Sequence, residues 1–177
     1  MGFGAIKMMG KKSEFILIDE LVLPKDFTYQ LKLKSIFEKT LRLIGEIHPD
    51  HIAIEAPFMG KNAQSMLKLG RAQGVAMAAA LSHEIPVTEY APRKIKMSIT
   101  GNGNASKEQV AKMLQQLYKI EVLPKNLDAM DGLAAAVCHS YNFDSPTTST
   151  SSTGKTKSKG GWASFVKNNP DKIKEQD

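Results

Sequence analysis

Hydrophobic positions along the chain switch between two periods. "GFGAIK" near the start and "EFILIDELVL" from Glu14 have the apolar runs and lengths of strands, and the polar, glycine-containing "MMGKKS" between them predicts a hairpin. From Phe27 to Glu46 the pattern turns helical, with Leu33, Phe37, Leu41 and Ile44 spaced by three and four. "HIAIEA" predicts a third strand, a long helix is expected from about Ala63 to Ser82, and "IPVTEY" predicts a further strand. In "NASKEQV" the spacing of Ser106 and Gln109 is that of a capping box. The helix it opens is expected to bury Val110, Met113, Leu114 and Leu117. A last helix is expected from about Leu127 to Tyr141. A hairpin, then helix, strand, helix, strand and two more helices, predicts an α/β layered domain.

Composition divides the chain near residue 144. Residues 1–143 carry the periodic segments, whereas "SPTTSTSSTGKTKSKGG" has almost no apolar side chains and cannot bury enough surface to fold. The expected organisation is one domain over 1–143 and a Ser/Thr/Lys-rich tail over 144–177. At the tail's end Trp162, Phe165 and Val166 form one apolar turn, either a docking element or the sticky end of a disordered segment. With 177 residues and 42% hydrophobic content, a single core is the expectation. No apolar run approaches the roughly 18–20 residues that span a bilayer, and the start has no signal-peptide pattern, which predicts a cytoplasmic protein with no membrane association. The lone Cys138 fits a reducing compartment. A formal charge of +6 attracts polyanions, nucleic acid foremost, and equally serves solubility.

Three features break the pattern in ways that point to chemistry. Glu55 puts a carboxylate at the end of an apolar strand, with Pro57 preventing the ladder from continuing. Asp128 and Asp131 in "LDAMDGLAAAVCH" are three apart and share one face of a helix's first turn. Together they supply three oxygen donors suited to a hard divalent cation, while helix capping and a solvated strand end account for the same residues without a metal. Gly70 and Gly74 sit inside a helix, where each glycine costs about 1 kcal/mol relative to alanine. A close neighbour on that face is therefore expected, either within the monomer or from a second subunit's helix.

The run "IAIEAPFMGKNAQSMLKLGRAQGVAMAAALSHEIPVTEYAPRKIKMSITGNGNASKEQVAKML" followed by "LDAMDGLAAAVCH", residues 52–139, resembles the RuvC family of Holliday-junction resolvases. The resemblance implies a ribonuclease-H-like fold, with a mixed central sheet flanked by helices. It also implies a homodimer that hydrolyses a phosphodiester in two opposed strands of four-way junction DNA, using magnesium, two ions per subunit, with manganese as a substitute. Glu55, Asp128 and Asp131 match the family's acidic metal ligands. Phe58 resembles the residue that stacks near the junction's opened centre, and Lys96 and Lys107 resemble phosphate-side residues of the active site. Lys61, Arg71, Arg93 and Lys94 complete the expected DNA-facing set, and a branch-migration motor is a candidate partner. The family's first strand, Ile-Leu-Gly-Ile-Asp-Pro-Gly with its metal-binding aspartate, has no counterpart here, for the chain opens at what resembles the second strand. Asp19 and Glu20 belong to no family signature. The alternative reading is a catalytically inactive junction-binding module; an unrelated α/β protein is the third.

Overall fold

The structure is a computed structural model that describes residues 1–57, 62–124 and 126–143. Phe58, Lys61 and the tail over 144–177 lie outside the described residues. The first two strands, β1 (Gly2–Met9) and β2 (Lys12–Glu20), form an antiparallel hairpin. At the hairpin end both run further than the sequence pattern suggests, so the turn shrinks to Gly10 and Lys11, with Gly10 at φ +64°, whereas β2 stops at Glu20 rather than continuing through the expected Leu23. A bulge between Ala5 and Ile6 leaves Ile16 without a partner, and its side chain is exposed. Helix α1 (Tyr29–Ile47) follows, capped by the Thr28 hydroxyl on the Leu31 N–H. Strand β3 (Ile52–Glu55), helix α2 (Ala63–Leu81) and strand β4 (Val87–Tyr90) make a βαβ unit with β3 and β4 parallel.

Helix α3 (Pro92–Thr100) was not foreseen in the hydrophobic pattern. Its marks are at its ends: a proline in the first helical position and Gly101 at φ +71° closing it, the expected residues for a start and a stop. Helix α4 (Lys107–Tyr118) has the full capping box, the Ser106 hydroxyl accepting from the Gln109 N–H and the Gln109 side chain from the Ser106 N–H. Its buried stripe differs from the expectation. Val110, Ala111 and Leu114 are buried, whereas Met113 and Leu117 are about half exposed. Only one neighbouring layer covers this short helix, so its apolar arc is narrower than the four positions suggested. Helix α5 (Asp128–Phe143) is the most deeply buried element, with Met130, Leu133, Val137 and Cys138 almost wholly enclosed.

Among the described residues the strands form two two-stranded sheets, β1–β2 and β3–β4. Successive side chains of β3 point to opposite faces. Ile52 packs with Ile44 of α1 and Ala80 of α2, while Ala53 packs into the larger core around α5. Three layers result, with α1 and α2 on one side of the strands and α5, α3 and α4 on the other.

Helix α5 meets β1 backbone to backbone. A methyl group built on Gly132 would lie 2.7 Å from the Gly4 nitrogen and the Phe3 Cα, and one on Gly4 would lie 2.3 Å from the Leu133 nitrogen. Gly70 and Gly74 are different. Among the described residues nothing lies within 4 Å of a Cβ at either position. Among the described residues no helix is long and apolar enough to cross a membrane.

Because the atoms facing Gly132 are backbone, they cannot yield by changing a rotamer. Gly132→Ala is expected to cost about 1–3 kcal/mol of stability or more, a fall in Tm of roughly 5–10 °C read by calorimetry. A melting temperature within a degree of the parent would contradict this account of how α5 is seated.

Candidate active site

Strand alternation aims Glu55. Like Ala53, two residues before it, it projects to the α5 face, into a cleft lined by Pro92, Ile95, Lys96, Lys107, Val110, Asp131 and Ala134. The cleft's volume, about 40 Å³, admits water or a single ion and is too small for a nucleobase. Each wall has a local origin. Asp131 and Ala134 lie three apart on α5, Lys96 follows the buried anchor Ile95 on α3, and the capping box holds Lys107 as the first residue of α4.

The electrostatics of the cleft are those of crowded like charges with two cations between them. Burial raises the pKa of Glu55, the nearby Asp131 carboxylate raises it further, and Lys107 and Lys96 partly offset both. The Lys107 ammonium donates to Asp128 Oδ1 at 2.6 Å and to Asp131 Oδ2 at 2.9 Å, bridging the two aspartates. Desolvation pulls the Lys107 pKa down, but the two carboxylates outweigh it and hold the pKa above the usual lysine range. Hydrogen bonding from Lys107 lowers the pKa of Asp128, against a smaller opposing effect of burial. All three partners are substantially solvated, so these ion pairs organise the site more than they stabilise the fold.

The three carboxylates singled out in the sequence thus come together, Glu55 beside Asp131 in the cleft and Asp128 joined to Asp131 through Lys107. Among the described residues they do not close into a cluster of three that could hold a metal ion. The donors suit a hard cation in type, all oxygen and mutually repelling, but Lys107 stands between two of them.

The other basic residues are more dispersed. Lys96 lines the cleft. Lys94 lies over the Tyr90 ring at 5.0 Å, and Arg93 lies along the turn at Gly103. Arg71 sits over the Tyr29 ring of α1 at 5.9 Å, on a side of α2 about 200° around from Gln73, which faces Glu55. The "GNGN" turn satisfies its own amides, the Asn102 N–H donating to the Thr100 hydroxyl and the Asn104 N–H to Asn102 Oδ1.

Asp19 is held by Lys39 and Arg42 of α1, in a pairing between β2 and α1. Glu20 accepts from the Asn126 amide, whose oxygen accepts from the Asp128 N–H, so the end of β2 steadies the first turn of α5. Sequence reading missed Asn126 and Gln73. Asn two residues before a helical aspartate is a recognisable capping signal. Gln73 stands out as a polar member of the otherwise alanine stripe Ala76, Ala79 and Ala80.

A family model described as crossover junction endodeoxyribonuclease RuvC matches residues 1–139. The protein of that name from Christiangramia forsetii is 64% identical over 177 residues, covering 98% of this chain and 87% of its own. That from Bacteroides fragilis is 52% identical over 176 residues, covering 98% and 90%. A solved structure of T. thermophilus RuvC in complex with Holliday junction substrate has a TM-score of 0.73 at 24% identity, over 79% of this chain and 86% of that one. That likeness bears out the ribonuclease-H-like α/β fold expected from the sequence. With a family model running from the first strand into the last helix and relatives sharing more than half of their residues, the chain belongs to the RuvC family of crossover junction endodeoxyribonucleases.

Proposed function

We propose that the protein is a structure-selective endonuclease that resolves four-way DNA junctions by hydrolysing a phosphodiester in each of two opposed strands. The observation that carries this reading is Glu55, a half-buried carboxylate with a raised pKa that shares one cleft with Asp131, Lys96 and Lys107 in a member of this family. A carboxylate placed against another carboxylate in an apolar-walled cleft is unfavourable unless a cation compensates. Glu55 and Asp131, with Asp128 beside them, would hold a divalent ion, magnesium or manganese in its stead, and when bound that ion supplies an activated water and charge neutralisation at phosphorus.

The chain's own residues do the remainder. Lys96 stands at the mouth as a counter-charge for an entering phosphate, and Lys107 exchanges its carboxylate partners for phosphate oxygens as DNA arrives. Pro92, Ile95, Val110 and Ala134 keep the cleft floor dry, which strengthens each of these charge interactions. Arg93 and Lys94, with Phe58 and Lys61 outside the described residues, would extend phosphate and base contacts beyond the cleft, whereas Arg71 lies on the far side of α2 over Tyr29.

Removing a single charge isolates the chemistry from binding. Glu55→Gln, Asp128→Asn and Asp131→Asn are each expected to slow cutting of a synthetic junction by more than the roughly 10–100-fold that loss of an outer-shell partner costs. Junction affinity is expected to stay within about threefold, since phosphate contacts dominate it. A mutant that cuts near the parent rate removes that residue from the site. Should the parent chain bind junctions but leave them uncut in magnesium, the reading favoured is the binding module, in keeping with the lack of a three-carboxylate cluster among the described residues.

Symmetrical cutting calls for two sites related by a two-fold axis. The outward face of α2 supports a homodimer. Leu67, Gly70, Gly74 and Leu81 fall along one stripe; Leu67 and Leu81 are exposed, and the glycines between them meet nothing among the described residues. Gly74→Leu is expected to leave the monomer's melting temperature unchanged or higher, since a helical glycine is replaced in open space. The same change is expected to weaken self-association at least tenfold by sedimentation. Unaltered association would move the interface away from this face.

A further inference from the structure

The geometry points to Gln73 as a positioning residue that holds the peptide carrying the Glu55 carboxylate. In β3 the Ile52 N–H donates to the Pro86 carbonyl and the Ala56 N–H to the Tyr90 carbonyl, so the even-numbered peptides bond to β4. Alternate residues of a parallel strand turn their polar groups to opposite edges. The Glu55 carbonyl therefore faces away from β4, where β3 has no strand neighbour among the described residues. Gln73 of α2 fills that role, its Nε2 donating to the Glu55 carbonyl oxygen at 2.6 Å. The side chain is 7% exposed, and its Oε1 is buried with no partner among the described residues.

A buried amide set among Ala76, Ala79 and Ala80 is a costly choice where a leucine or methionine would fill the space. What it provides is a ladder-like hydrogen bond to a strand that ends at its functional residue. The bond fixes the peptide plane at Glu55, and through it the direction of the Cα–Cβ bond that aims the carboxylate at Asp131. It also joins the site to α2, the helix that carries Gly70 and Gly74. Gln73 touches neither phosphate nor water in this scheme; it acts through Glu55. The inference rests on the reading of Glu55 as the catalytic carboxylate, and its test separates the two.

Gln73→Met keeps the length and bulk of the side chain and removes the donor together with the unpartnered oxygen. With the whole chain at neutral pH, amide hydrogen exchange at Glu55 and Ala56 is expected to accelerate about tenfold, while the melting temperature moves by no more than a few degrees. The side-chain carboxyl carbon resonance of Glu55 is expected to shift or broaden. Single-turnover cutting of a saturating junction in magnesium is expected to fall roughly 10–100-fold, with junction affinity unchanged within twofold. Unchanged exchange at Ala56 together with an unchanged Glu55 resonance overturns the inference. So does a large fall in melting temperature with cutting at 25 °C intact, which is the signature of a purely structural amide. If the parent chain does not cut junctions and the exchange and resonance still respond to Gln73→Met, the positioning role stands and the endonuclease reading fails.

Discussion

The packing of α5 across both pairs of strands is the constraint on which the rest depends. Among the described residues the β1–β2 and β3–β4 ladders share no hydrogen bond with each other, and what unites them is the burial of Met130, Leu133, Ala134, Val137 and Cys138 against residues of both, Ile6 and Ile18 on one side and Ala53 on the other. Such a helix must come close to the strands to be useful, and Gly2, Gly4 and Gly132 allow β1 to approach it at backbone distance. That seating has a functional consequence. The first turn of α5 carries Asp128 and Asp131, and the same packing brings it beside the end of β3, where Glu55 emerges. The register of one helix thus sets the separation of the carboxylates.

Much of this was legible in the sequence, for reasons that can be stated. The hairpin, α1, α2, α4, α5 and both strands of the βαβ unit follow from periodicity and capping, and Glu55 was conspicuous because a charge at the end of an apolar strand needs an explanation. The miss of α3 has a simple cause. Only Ile95 of its nine residues is buried, so its hydrophobic pattern is too sparse to register and only its proline and glycine ends announce it. Met113 and Leu117 were misassigned because apolar residues at helical spacing need not all be covered. The seating of Gly132 and the role of Gln73 depend on which elements meet. Period alone cannot reveal that.

Gly70 and Gly74 illustrate the opposite case, in which the structure leaves a sequence question for the assembly to answer. A helix interior that carries two glycines with no close neighbour among the described residues gives up helix propensity, which a partner helix approaching that face would explain. The inward face of the same helix is packed with alanines and Gln73. The helix that carries the glycines is also hydrogen-bonded through Gln73 to the end of the strand bearing Glu55, so a contact between subunits at the glycines would bear on an element joined to the cleft.

The charge balance of the cleft argues for the class of counter-ion it takes. Glu55, Asp128 and Asp131 face Lys96 and Lys107, so the group as it stands carries one net negative charge. A scissile phosphodiester brings another. Lysines alone cannot resolve this, because Lys107 in its present position neutralises the aspartates and is unavailable to the phosphate. If it turns to the phosphate it leaves Asp128 and Asp131 uncompensated beside a Glu55 that already ionises reluctantly. A doubly charged cation held by the carboxylates would remove the conflict, since it would bring the loaded cleft to neutrality and leave Lys107 available to the phosphate. A monovalent ion would leave a net negative charge. On this charge balance a dication and the DNA would be coupled through Lys107, each making the other's binding more favourable.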